Sequence, residues 1–586
     1  MPHTRGLVDQ EKQEVRLECL AFRANEMPRM IEARMLPTAG HWVGALARTD
    51  SDAQLLLFRF ISGNVVDDNG GRLWYIFMHR RDGKSVQGAH LRLASLLLTS
   101  GFLDFKMPRD PEGARAEMMT ELESYPDSWQ AKSMLWDLAF RTEPGEATTA
   151  RIREELDQVF NQHRGNEEAV ASLVQFYDRT GQQRRGAEIR KEAVAAHPKG
   201  TIAERIRLET VFAEKDPAAR AKLLEEFLID FPQHATVLVT YQSQLAGLYV
   251  QANDFVRLDS LMSSPESSPD LHYDVARALM GVAGKIEKAI GFAEGAVRLL
   301  RVQDSAARPA YMNRARWEAI RRDKLGMALD LYANGLNGTG RAGKAESALV
   351  EAYETTNGDR PDINEHLVAT FLRNGKTEKA LDICSVCVKK GETTDSLLAY
   401  FRRAYVQSKG SDKGFGETLM NLKDIASNAE KQRLSKERLA MPAADFILKG
   451  LDGKRLKLSG LKGKIVVLDF WATWCEPCKT SFPYLQQVFE KYRKDERVKI
   501  LALDTREQVS GAEREMLVQK FIEGNNYSFQ VLLDDGYADK CGVSGLPTRF
   551  VIDKNGTIQF RTVGFGSGMQ MIEELTQQIE ILLSEP

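Results

Sequence analysis

The sequence Asp469-Phe470-Trp471-Ala472-Thr473-Trp474-Cys475-Glu476-Pro477-Cys478 decides how the last quarter of this chain folds. It links residues 464–470, a nearly continuous apolar run, to residues 482–492, whose apolar positions repeat with helical spacing. The first pattern is typical of a buried strand, and the second of an amphipathic helix. The two cysteines are therefore predicted to lie where a buried strand leads into a helix.

A cysteine at the start of a helix is chemically activated. It lies at the positive end of the helix macrodipole, beside unpaired backbone N–H groups, and both favour the thiolate. Pro477 suits the first helical turn, because its missing N–H costs nothing there. Cys478, one turn onward, can approach Cys475 closely enough to form a disulfide. The spacing predicts that Cys475 is an exposed nucleophile with a depressed pKa and that Cys478 is its resolving partner.

Asp469 interrupts the apolar strand six residues before Cys475. Burying a carboxylate without a partner costs several kcal/mol, so a purely structural explanation for this residue is strained. We therefore expect a buried acid with a raised pKa, which takes and returns the proton of the Cys478 thiol.

A proline stands just before a further predicted strand, in Gly545-Leu546-Pro547-Thr548. A cis peptide bond at this position would set a tight turn. Such a turn would leave the backbone of Leu546 free to pair with an extended substrate segment. The residues predicted to bind substrate are Trp474, Pro477, Leu546 and Pro547.

The remaining C-terminal pattern alternates strands and helices. Strands are predicted at residues 498–503, 529–533, 548–552 and 557–561, and helices at residues 516–523 and 569–583. Between the last two strands, Asp553-Lys554-Asn555-Gly556 is a strong hairpin signal. Residues 440–586 are therefore predicted to form a complete α/β domain.

These motifs resemble those of the thioredoxin-fold disulfide oxidoreductases. The lead-in segments Ala444-Asp445-Phe446, Gly450-Leu451-Asp452-Gly453 and 458–464 are similar to those of the TlpA/ResA-like branch, and the resemblance covers about residues 442–583. It implies a thioredoxin fold and reversible exchange of a Cys475–Cys478 disulfide with disulfides of protein substrates, as a reductase and without a cofactor. It further implies an upstream electron donor, either a membrane thiol transporter or a thioredoxin system.

Two positions depart from the relatives. Relatives that serve cytochrome c maturation carry a glutamate three residues after the second cysteine, where this chain has Ser481, so a cytochrome client is not expected. The predicted strand at residues 498–503 offers no obvious counterpart to the lysine that thioredoxins place near the buried aspartate.

Two other roles for Cys475 and Cys478 fit the sequence less well. A zinc site would need a second pair of Cys or His ligands, and no histidine follows in this domain. Peroxidase chemistry of the peroxiredoxin type would require Pro and Thr or Ser where Leu468 and Ala472 stand. No metal is therefore expected at this pair.

The other cysteines are predicted to be structural. Cys384 and Cys387 fall on one apolar face of a predicted helix at residues 378–390, where an i, i+3 disulfide has poor geometry. Cys541 lies six residues before Pro547 and is expected to be a structural thiol. Trp471, in the apolar strand, is assigned to the core.

The composition is that of an ordinary soluble protein, with 586 residues, 43% hydrophobic and 28% charged. The 80 basic and 82 acidic residues leave a formal charge of −2 without a long basic cluster, so nucleic acid is not expected as a partner. No apolar run reaches the roughly 18 residues of a transmembrane helix. Residues 1–23 lack the apolar stretch of a signal peptide. The resemblance implies a bacterial, extracytoplasmic (periplasmic) setting, and a cytoplasmic location stays open.

Two regions of different pattern precede the C-terminal domain and its helical neighbour. Residues 1–35 are charged and mostly helix-compatible, without a strong period. Residues 36–108 contain short aromatic and β-branched runs between turn residues, which predicts a small β domain of sandwich type.

Residues 109–435 lack strand signals and show internal similarity. Residues 341–349 match residues 373–381, which lie 32 positions later. Each copy reads as a turn centred on a glycine, Gly343 or Gly375, followed by an amphipathic helix. This unit resembles the tetratricopeptide repeat, so a solenoid of helical pairs is predicted.

Two functions of different classes follow from this organisation. In the first, the chain is a thiol-disulfide oxidoreductase whose helical repeats recruit protein clients. In the alternative, the chain is an interaction scaffold built on the repeats, with an accessory thioredoxin domain.

Overall fold

The computed structural model describes residues 14–38, 41–45, 52–62, 65–69, 71–232, 235–264, 267–303, 307–392, 394–436, 438–507, 509–543, 545–566 and 568–585. These residues form two compact units. The described residues of 14–66, 75–92 and 115–423 make up the first unit, and those of 67–74, 93–114 and 424–585 the second. The predicted multidomain fold class is confirmed, whereas the division into four segments and the sandwich type of the small β domain stay predictions. The first 13 residues of the predicted N-terminal segment lie outside the described residues.

The N-terminal elements are short strands and one helix. They are β1 (Arg16–Phe22), β2 (Arg29–Arg34), β3 (Leu36–Thr38), β4 (His41–Val43), β5 (Leu55–Ser62), β6 (Val65–Asp67), β7 (Trp74–Phe77), α1 (Ala89–Thr99), β8 (Gly101–Phe102) and β9 (Phe105–Lys106). Strands β2, β1, β5 and β6 lie side by side in one sheet, and β7 also pairs with β5. Strands β3 and β4 form one hairpin, and β8 and β9 another.

The buried charge of Glu18 explains why the sequence pattern did not reveal β1. Every residue of β1 after Arg16 is buried, and Glu18 interrupts the apolar run. Its carboxylate accepts hydrogen bonds from Arg59 Nη2 at 2.8 Å and from Asn313 Nδ2 at 3.0 Å. A buried charge is tolerated when it is paired and hydrogen-bonded. The prediction of a helix-compatible segment over residues 1–35 is therefore wrong for β1 and β2.

A long array of helices follows, as the sequence predicts. Its helices are α2 (Pro111–Ser124), α3 (Trp129–Thr142), α4 (Glu146–His163), α5 (Glu167–Arg179), α6 (Gln183–Ala196), α7 (Thr201–Ala213), α8 (Pro217–Asp230), α9 (Ala235–Gln251), α10 (Phe255–Met262), α11 (Pro269–Met280), α12 (Ile286–Val302), α13 (Arg314–Gly338), α14 (Ala342–Thr355), α15 (Pro361–Arg373), α16 (Thr377–Lys389), α17 (Asp395–Lys409) and α18 (Phe415–Lys436). Helices that are consecutive in sequence pack against each other along much of this array. None of the helices in the described ranges is both long enough and apolar enough to cross a membrane.

Left-handed glycines end helices in the array and correct the predicted repeat register. Gly340 and Gly375 have φ angles of +77° and +71°. The residue after each donates its N–H to a carbonyl five residues earlier, from Arg341 to Leu336 at 2.9 Å in the first case. This is the Schellman arrangement, which favours glycine. Gly343, the predicted turn centre, lies instead inside α14, so the two turns are separated by 35 residues rather than 32.

Alanine substitutions at Gly340 and Gly343 will show which of the two glycines lies in the turn of the helical repeat. An added methyl group meets nothing within 4 Å at Gly340 or Gly343. We expect Gly340→Ala to lower the free energy of unfolding by about 1 kcal/mol, because alanine is disfavoured at positive φ. Gly343→Ala serves as the matched control and should raise it by about 0.5 kcal/mol, because alanine favours helix. Urea unfolding followed by far-ultraviolet circular dichroism measures both, and effects of the same sign would contradict the observed register.

The C-terminal part contains every strand and helix predicted for it. Its elements are β10 (Met441–Pro442), β11 (Ile447–Gly450), β12 (Arg455–Lys457), a 3₁₀ helix at Leu458–Leu461, β13 (Ile465–Trp471), α19 (Glu476–Tyr492), β14 (Val498–Asp504), α20 (Gly511–Gly524), β15 (Gln530–Leu533), α21 (Tyr537–Lys540), β16 (Thr548–Ile552), β17 (Thr557–Val563) and α22 (Gly568–Ser584). The strands form one sheet in the order β10-β17-β16-β13-β14-β15-β11-β12. This is the predicted thioredoxin-like domain.

Strand β13 lies in the middle of this sheet and delivers the chain to the cysteines. It pairs in parallel with β14 and antiparallel with β16. Alternate residues of a strand face opposite sides of the sheet. Val467 and Trp471 pack in the cluster that contains Cys475 and Cys478, whereas Phe470 packs in the cluster on the other side.

Candidate active site

Cys475 and Cys478 form a disulfide across the first turn of α19, with 5.3 Å between their Cα atoms. Cys475 is the N-cap residue of the helix, and the backbone N–H of Cys478 donates to Cys475 Sγ at 3.3 Å. The Cys475 sulfur therefore lies against the helix N-terminus, where unpaired N–H groups and the macrodipole favour negative charge. Pro477 occupies the first helical turn, as the sequence predicts.

The prediction of an exposed nucleophile is wrong for the disulfide form. Cys475 is only 4% exposed, and Cys478 is fully buried. Both cysteines pack in the same core cluster as Trp471 and Phe482. The reason is that α19 begins directly after the loop from a buried strand, so the two cysteine side chains of its first turn face the core while Glu476 and Pro477 face outward.

The exposed part of the site is formed by the residues between and before the cysteines. Trp474 is 50% exposed, and its indole Nε1 donates to the carbonyl of Arg506 at 2.8 Å. Pro477 and Glu476 are exposed, and Glu476 pairs with Lys479 at 2.6 Å. An apolar ring and a proline thus border the entrance to a buried disulfide.

The Leu546–Pro547 peptide bond is cis. Pro547 is buried, and its carbonyl accepts a hydrogen bond from the Gly564 N–H at 2.7 Å. Leu546 is half-buried and packs against the cluster that contains both active-site cysteines. In the described parts of the chain, neither the backbone N–H nor the C=O of Leu546 makes a hydrogen bond. The turn therefore presents free backbone groups near the disulfide.

Asp469 is completely buried, but it is not without a partner. Arg549 Nε donates to Asp469 Oδ2 at 2.8 Å, and Arg549 Nη2 lies 2.6 Å from the same oxygen. Arg549 stands directly opposite Asp469 in the β13–β16 register. The expectation that the burial of Asp469 lacks a structural explanation is therefore corrected, because an arginine from the neighbouring strand neutralises it.

The second carboxylate oxygen of Asp469 is compatible with the predicted role of this residue, which is to take and return the proton of the Cys478 thiol. Asp469 Oδ1 is buried and has no hydrogen-bond partner within the described residues. Burial raises the pKa of Asp469, and the positive charge of Arg549 acts against this rise. By the alternation of β13, Asp469 lies on the sheet face of Val467 and Trp471, which pack with Cys478. A buried acid with a free oxygen thus lies on the face that α19 covers.

Residues 504–507, which begin with the last residue of β14 and which we call the β14 exit, were not predicted from the sequence to belong to the site. Glu507 accepts hydrogen bonds from the backbone N–H of Thr473 and, at 2.8 Å, from its hydroxyl. Besides holding the Trp474 indole, Arg506 donates through Nη2 to Asp539 Oδ1 at 2.6 Å and to the Val543 carbonyl at 2.5 Å. The β14 exit therefore connects the cysteine loop to the segment that leads into the cis-proline turn.

The sequence contains a signal for one of the residues that were not predicted, Arg549, but none for another, Arg506. Arg549 is a charge within the apolar run of a predicted strand, and so is Asp469; opposite charges in two buried strands indicate that the strands are neighbours. No comparable signal marks Arg506, whose φ of +56° places a non-glycine residue in the left-handed region. Such a conformation depends on tertiary contacts and not on local sequence.

Cys384, Cys387 and Cys541 are not part of a disulfide. Cys384 and Cys387 are buried in α16, and burial raises the pKa of Cys384 to about 12. Cys541 is half-buried, and burial raises its pKa as well. The core positions predicted for Cys384, Cys387 and Trp471 are confirmed. Within the described ranges, no three His, Cys, Asp or Glu side chains are arranged so that they could hold a metal ion.

Removing one partner of the Asp469–Arg549 pair should be costly. Arg549→Leu leaves a carboxylate buried and unpaired, and we expect a loss of about 3–5 kcal/mol in the free energy of unfolding. The double variant Asp469→Leu/Arg549→Leu should recover most of that loss, because no charge is then buried. Arg561→Leu, on β17, is the control, and should cost less than about 1 kcal/mol. Urea unfolding tests this, and a double variant as unstable as Arg549→Leu would contradict the pairing.

Comparison with known proteins agrees with this geometry. The AhpC/TSA family matches residues 439–561. The thiol-disulfide oxidoreductase ResA of Bacillus thuringiensis (strain Al Hakam) is 36% identical over 140 residues, which are 24% of this chain and 74% of that protein. ResA of Bacillus subtilis (strain 168) is 40% identical over 118 residues, covering 20% and 62% of the two chains.

A search of solved structures returned a putative thiol:disulfide interchange protein DsbE from Chlorobium tepidum. It is 35% identical, covers 25% of this chain and 97% of its own, and has a TM-score of 0.22. From the ResA comparisons, together with the cysteine pair at the head of α19, we conclude that the chain is a protein disulfide oxidoreductase that belongs, through its C-terminal domain, to the family of the thiol-disulfide oxidoreductase ResA.

Proposed function

We propose that the chain reduces disulfides of protein substrates, with Cys475 as the nucleophile and Cys478 as the resolving thiol. The observation that carries this proposal is the closed Cys475–Cys478 pair at the N-terminus of α19. Half-exposed Trp474 and the unpaired backbone of Leu546 support a substrate groove on this side. An extended substrate segment would pair with Leu546 in the manner of an added strand and rest on Trp474, Pro477 and Pro547.

The reaction proceeds in two exchange steps. The Cys475 thiolate attacks one sulfur of a substrate disulfide, so that a mixed disulfide forms and the other substrate sulfur leaves as a thiolate, which takes up a proton. The Cys478 thiolate then attacks Cys475 Sγ, which forms the Cys475–Cys478 disulfide and releases the second substrate thiolate. Two electrons have then passed to the substrate, and an upstream dithiol donor restores the reduced enzyme.

In this proposal Asp469 takes the proton of Cys478 through its free oxygen Oδ1. A carboxyl group whose pKa is raised toward neutrality is a suitable base for a thiol. Burial supplies that rise, while Arg549 keeps the residue from being a permanently neutral acid. Asp469 is thus proposed as a catalytic residue for the second step.

The charges beside the cysteine loop support the reductase direction. Strong oxidants of this fold stabilise the reduced form through its thiolate. Here Glu507 bonds to Thr473, two residues before Cys475, and a carboxylate at this distance disfavours a second negative charge. The reduced pair is therefore the better electron donor. We also propose the bacterial, extracytoplasmic setting and the upstream donor that the resemblance implies.

We further propose that the helical repeats, read as tetratricopeptide-like, recruit the client. A groove of about 930 Å³ opens between α12, α13 and α14 and is bordered by Gly291, Gly295 and Gly343. Arg298 and Lys344 line it, and neither forms an ion pair among the described residues. The exposed Gly291 and Gly343 leave room beside these cations for an extended segment with acidic side chains.

Single-cysteine variants of the full chain test the enzyme. Cys475→Ser should lower the rate of insulin reduction at least about a hundredfold. Cys478→Ser should accumulate a mixed disulfide with the substrate, because the resolving thiol is missing. Cys541→Ser is the matched control and should keep full activity. Turbidity of reduced insulin and non-reducing mass spectrometry give the readouts. Retained activity in Cys475→Ser would contradict the assignment of the nucleophile.

Charge reversal in the groove tests recruitment. Arg298→Glu/Lys344→Glu should raise KM for a protein client trapped by Cys478→Ser roughly tenfold, about 1.4 kcal/mol of binding. The rate with a small aromatic disulfide should stay unchanged, because that substrate needs no groove. Arg403→Glu/Lys409→Glu on α17 is the control with the same change in charge. An unchanged KM would exclude this groove as the client site, and client binding without any turnover would favour the scaffold alternative.

A further inference from the structure

The β14 exit holds the loop that carries Cys475. Glu507 binds both the N–H and the hydroxyl of Thr473, and these two bonds fix the backbone two residues before the nucleophile. The next residue, Trp474, is held by the carbonyl of Arg506 at 2.8 Å. A reacting group that is held by backbone contacts on a rigid strand end loses little freedom during reaction.

A second carboxyl group lies beneath Glu507. Asp504, the last residue of β14, is fully buried, and its Oδ2 accepts a bond from Arg514 Nε at 2.5 Å. The Asp504 and Glu507 carboxyl groups are within hydrogen-bonding reach of each other, and Asp504 Oδ1 has no other partner within the described residues. Two carboxylates accept but cannot donate, so this contact requires a proton on Asp504.

Three neighbouring elements face Asp504, and two of them contribute charges within the described residues. Arg514 approaches from α20, and its Nη1 also donates to the Asp534 carbonyl at 2.8 Å. Asp534, after β15, is occupied by the Thr505 hydroxyl at 2.6 Å and by backbone N–H groups of α21. Strand β13 contributes only the Trp471 carbonyl, which Thr505 N–H binds at 2.8 Å. One arginine therefore faces the carboxyls of Asp504 and Glu507, which leaves one negative charge to be neutralised by a proton.

We propose that Glu507 is a positioning residue for thiol-disulfide exchange, which holds the Cys475 loop through Thr473 and accepts a hydrogen bond from the protonated carboxyl group of Asp504. The inference rests on Cys475 being the nucleophile, as proposed above. When the proton leaves, the two carboxylates repel each other, the anchor on Thr473 weakens, and an added negative charge near the loop disfavours the Cys475 thiolate. Exchange is therefore fastest while the pair is protonated.

The midpoint of this transition falls in the physiological range. Burial and the neighbouring Glu507 raise the pKa of Asp504 to about 7, and Arg514 limits the rise. The proton is present below that pH and is lost above it. The pH profile of Cys475 should therefore contain two ionisations with opposite effects, a rise from its own thiol and a fall from the carboxyl pair.

Glu507→Gln is the decisive variant, because glutamine imitates the protonated pair permanently. One amide N–H can donate to Asp504 and the other to the Thr473 hydroxyl oxygen, while its carbonyl still accepts from the Thr473 N–H. The measurement is the alkylation rate of reduced Cys475 in the full chain between pH 5 and 9, read by mass spectrometry. We expect equal rates below pH 6, and at pH 8 a rate about tenfold above that of the unmodified chain, because most pairs have lost the proton one pH unit above their midpoint.

Two further variants separate positioning from folding. Glu496→Gln makes the same chemical change in the loop just before β14, at the opposite end of that strand, and should leave both ionisations in place. Thr473→Val removes the hydroxyl bond but not the carboxyl pair, so it should lower the rate at every pH and keep the second ionisation. This variant tests the anchor even if Glu507→Gln does not fold.

The outcomes are distinguishable. A Glu507→Gln profile that keeps the second ionisation, or a fall in rate that is uniform across pH, would overturn the role of the proton on Asp504. A Thr473→Val rate equal to that of the unmodified chain would overturn the anchor. Alkylation needs no protein substrate, so a chain that fails to reduce insulin yet shows both ionisations would refute the proposed reductase function and leave this inference standing.

Discussion

The capping of α19 by the sulfur of Cys475 is the constraint on which the site depends. Because the N-cap residue is also the end of the loop from β13, the position of the sulfur is set by the backbones of a strand and a helix and not by a free rotamer. The register of β13 with β14 and β16 then fixes the positions of the neighbouring strand residues relative to this sulfur. Asp469 and Arg549 lie below it, the cis-proline turn precedes β16, and the β14 exit lies beside it.

Arginines make three of the buried acids among the described residues tolerable. Glu18 is paired with Arg59, Asp469 with Arg549 and Asp504 with Arg514, and each of these carboxylates is at most 1% exposed. A planar guanidinium can satisfy a carboxylate oxygen and nearby carbonyls together, which suits buried sites. The first pair lies within the N-terminal sheet, between β1 and β5, and the acids of the other two lie on the neighbouring strands β13 and β14. The same pairing therefore stabilises the sheet in one place and, in our proposals, serves proton transfer in the other.

Much of the C-terminal domain could be predicted from the sequence, because its strands are continuous apolar runs and its turns have strong local signals. The cysteine pair and Pro547 were found for the same reason. The sequence pattern gave wrong predictions at two places. Strand β1 was not predicted because Glu18 is buried only through its long-range pair with Arg59. The repeat turn was placed at Gly343 instead of Gly340 because of the Gly-Lys similarity between the two copies. The burial of Cys475 and the left-handed Arg506 were also missed, since both result from packing between elements distant in sequence.

The second compact unit is not continuous in sequence. Residues 93–114 belong to it together with residues 424–585, and Pro108 lies next to Gly542, close to the cis-proline turn in sequence. A recombinant fragment cut at residue 440 would therefore lose part of its own globule and expose a surface that residues from the N-terminal third normally cover. During synthesis, this unit is complete only when a segment made several hundred residues earlier has joined the last residues of the chain.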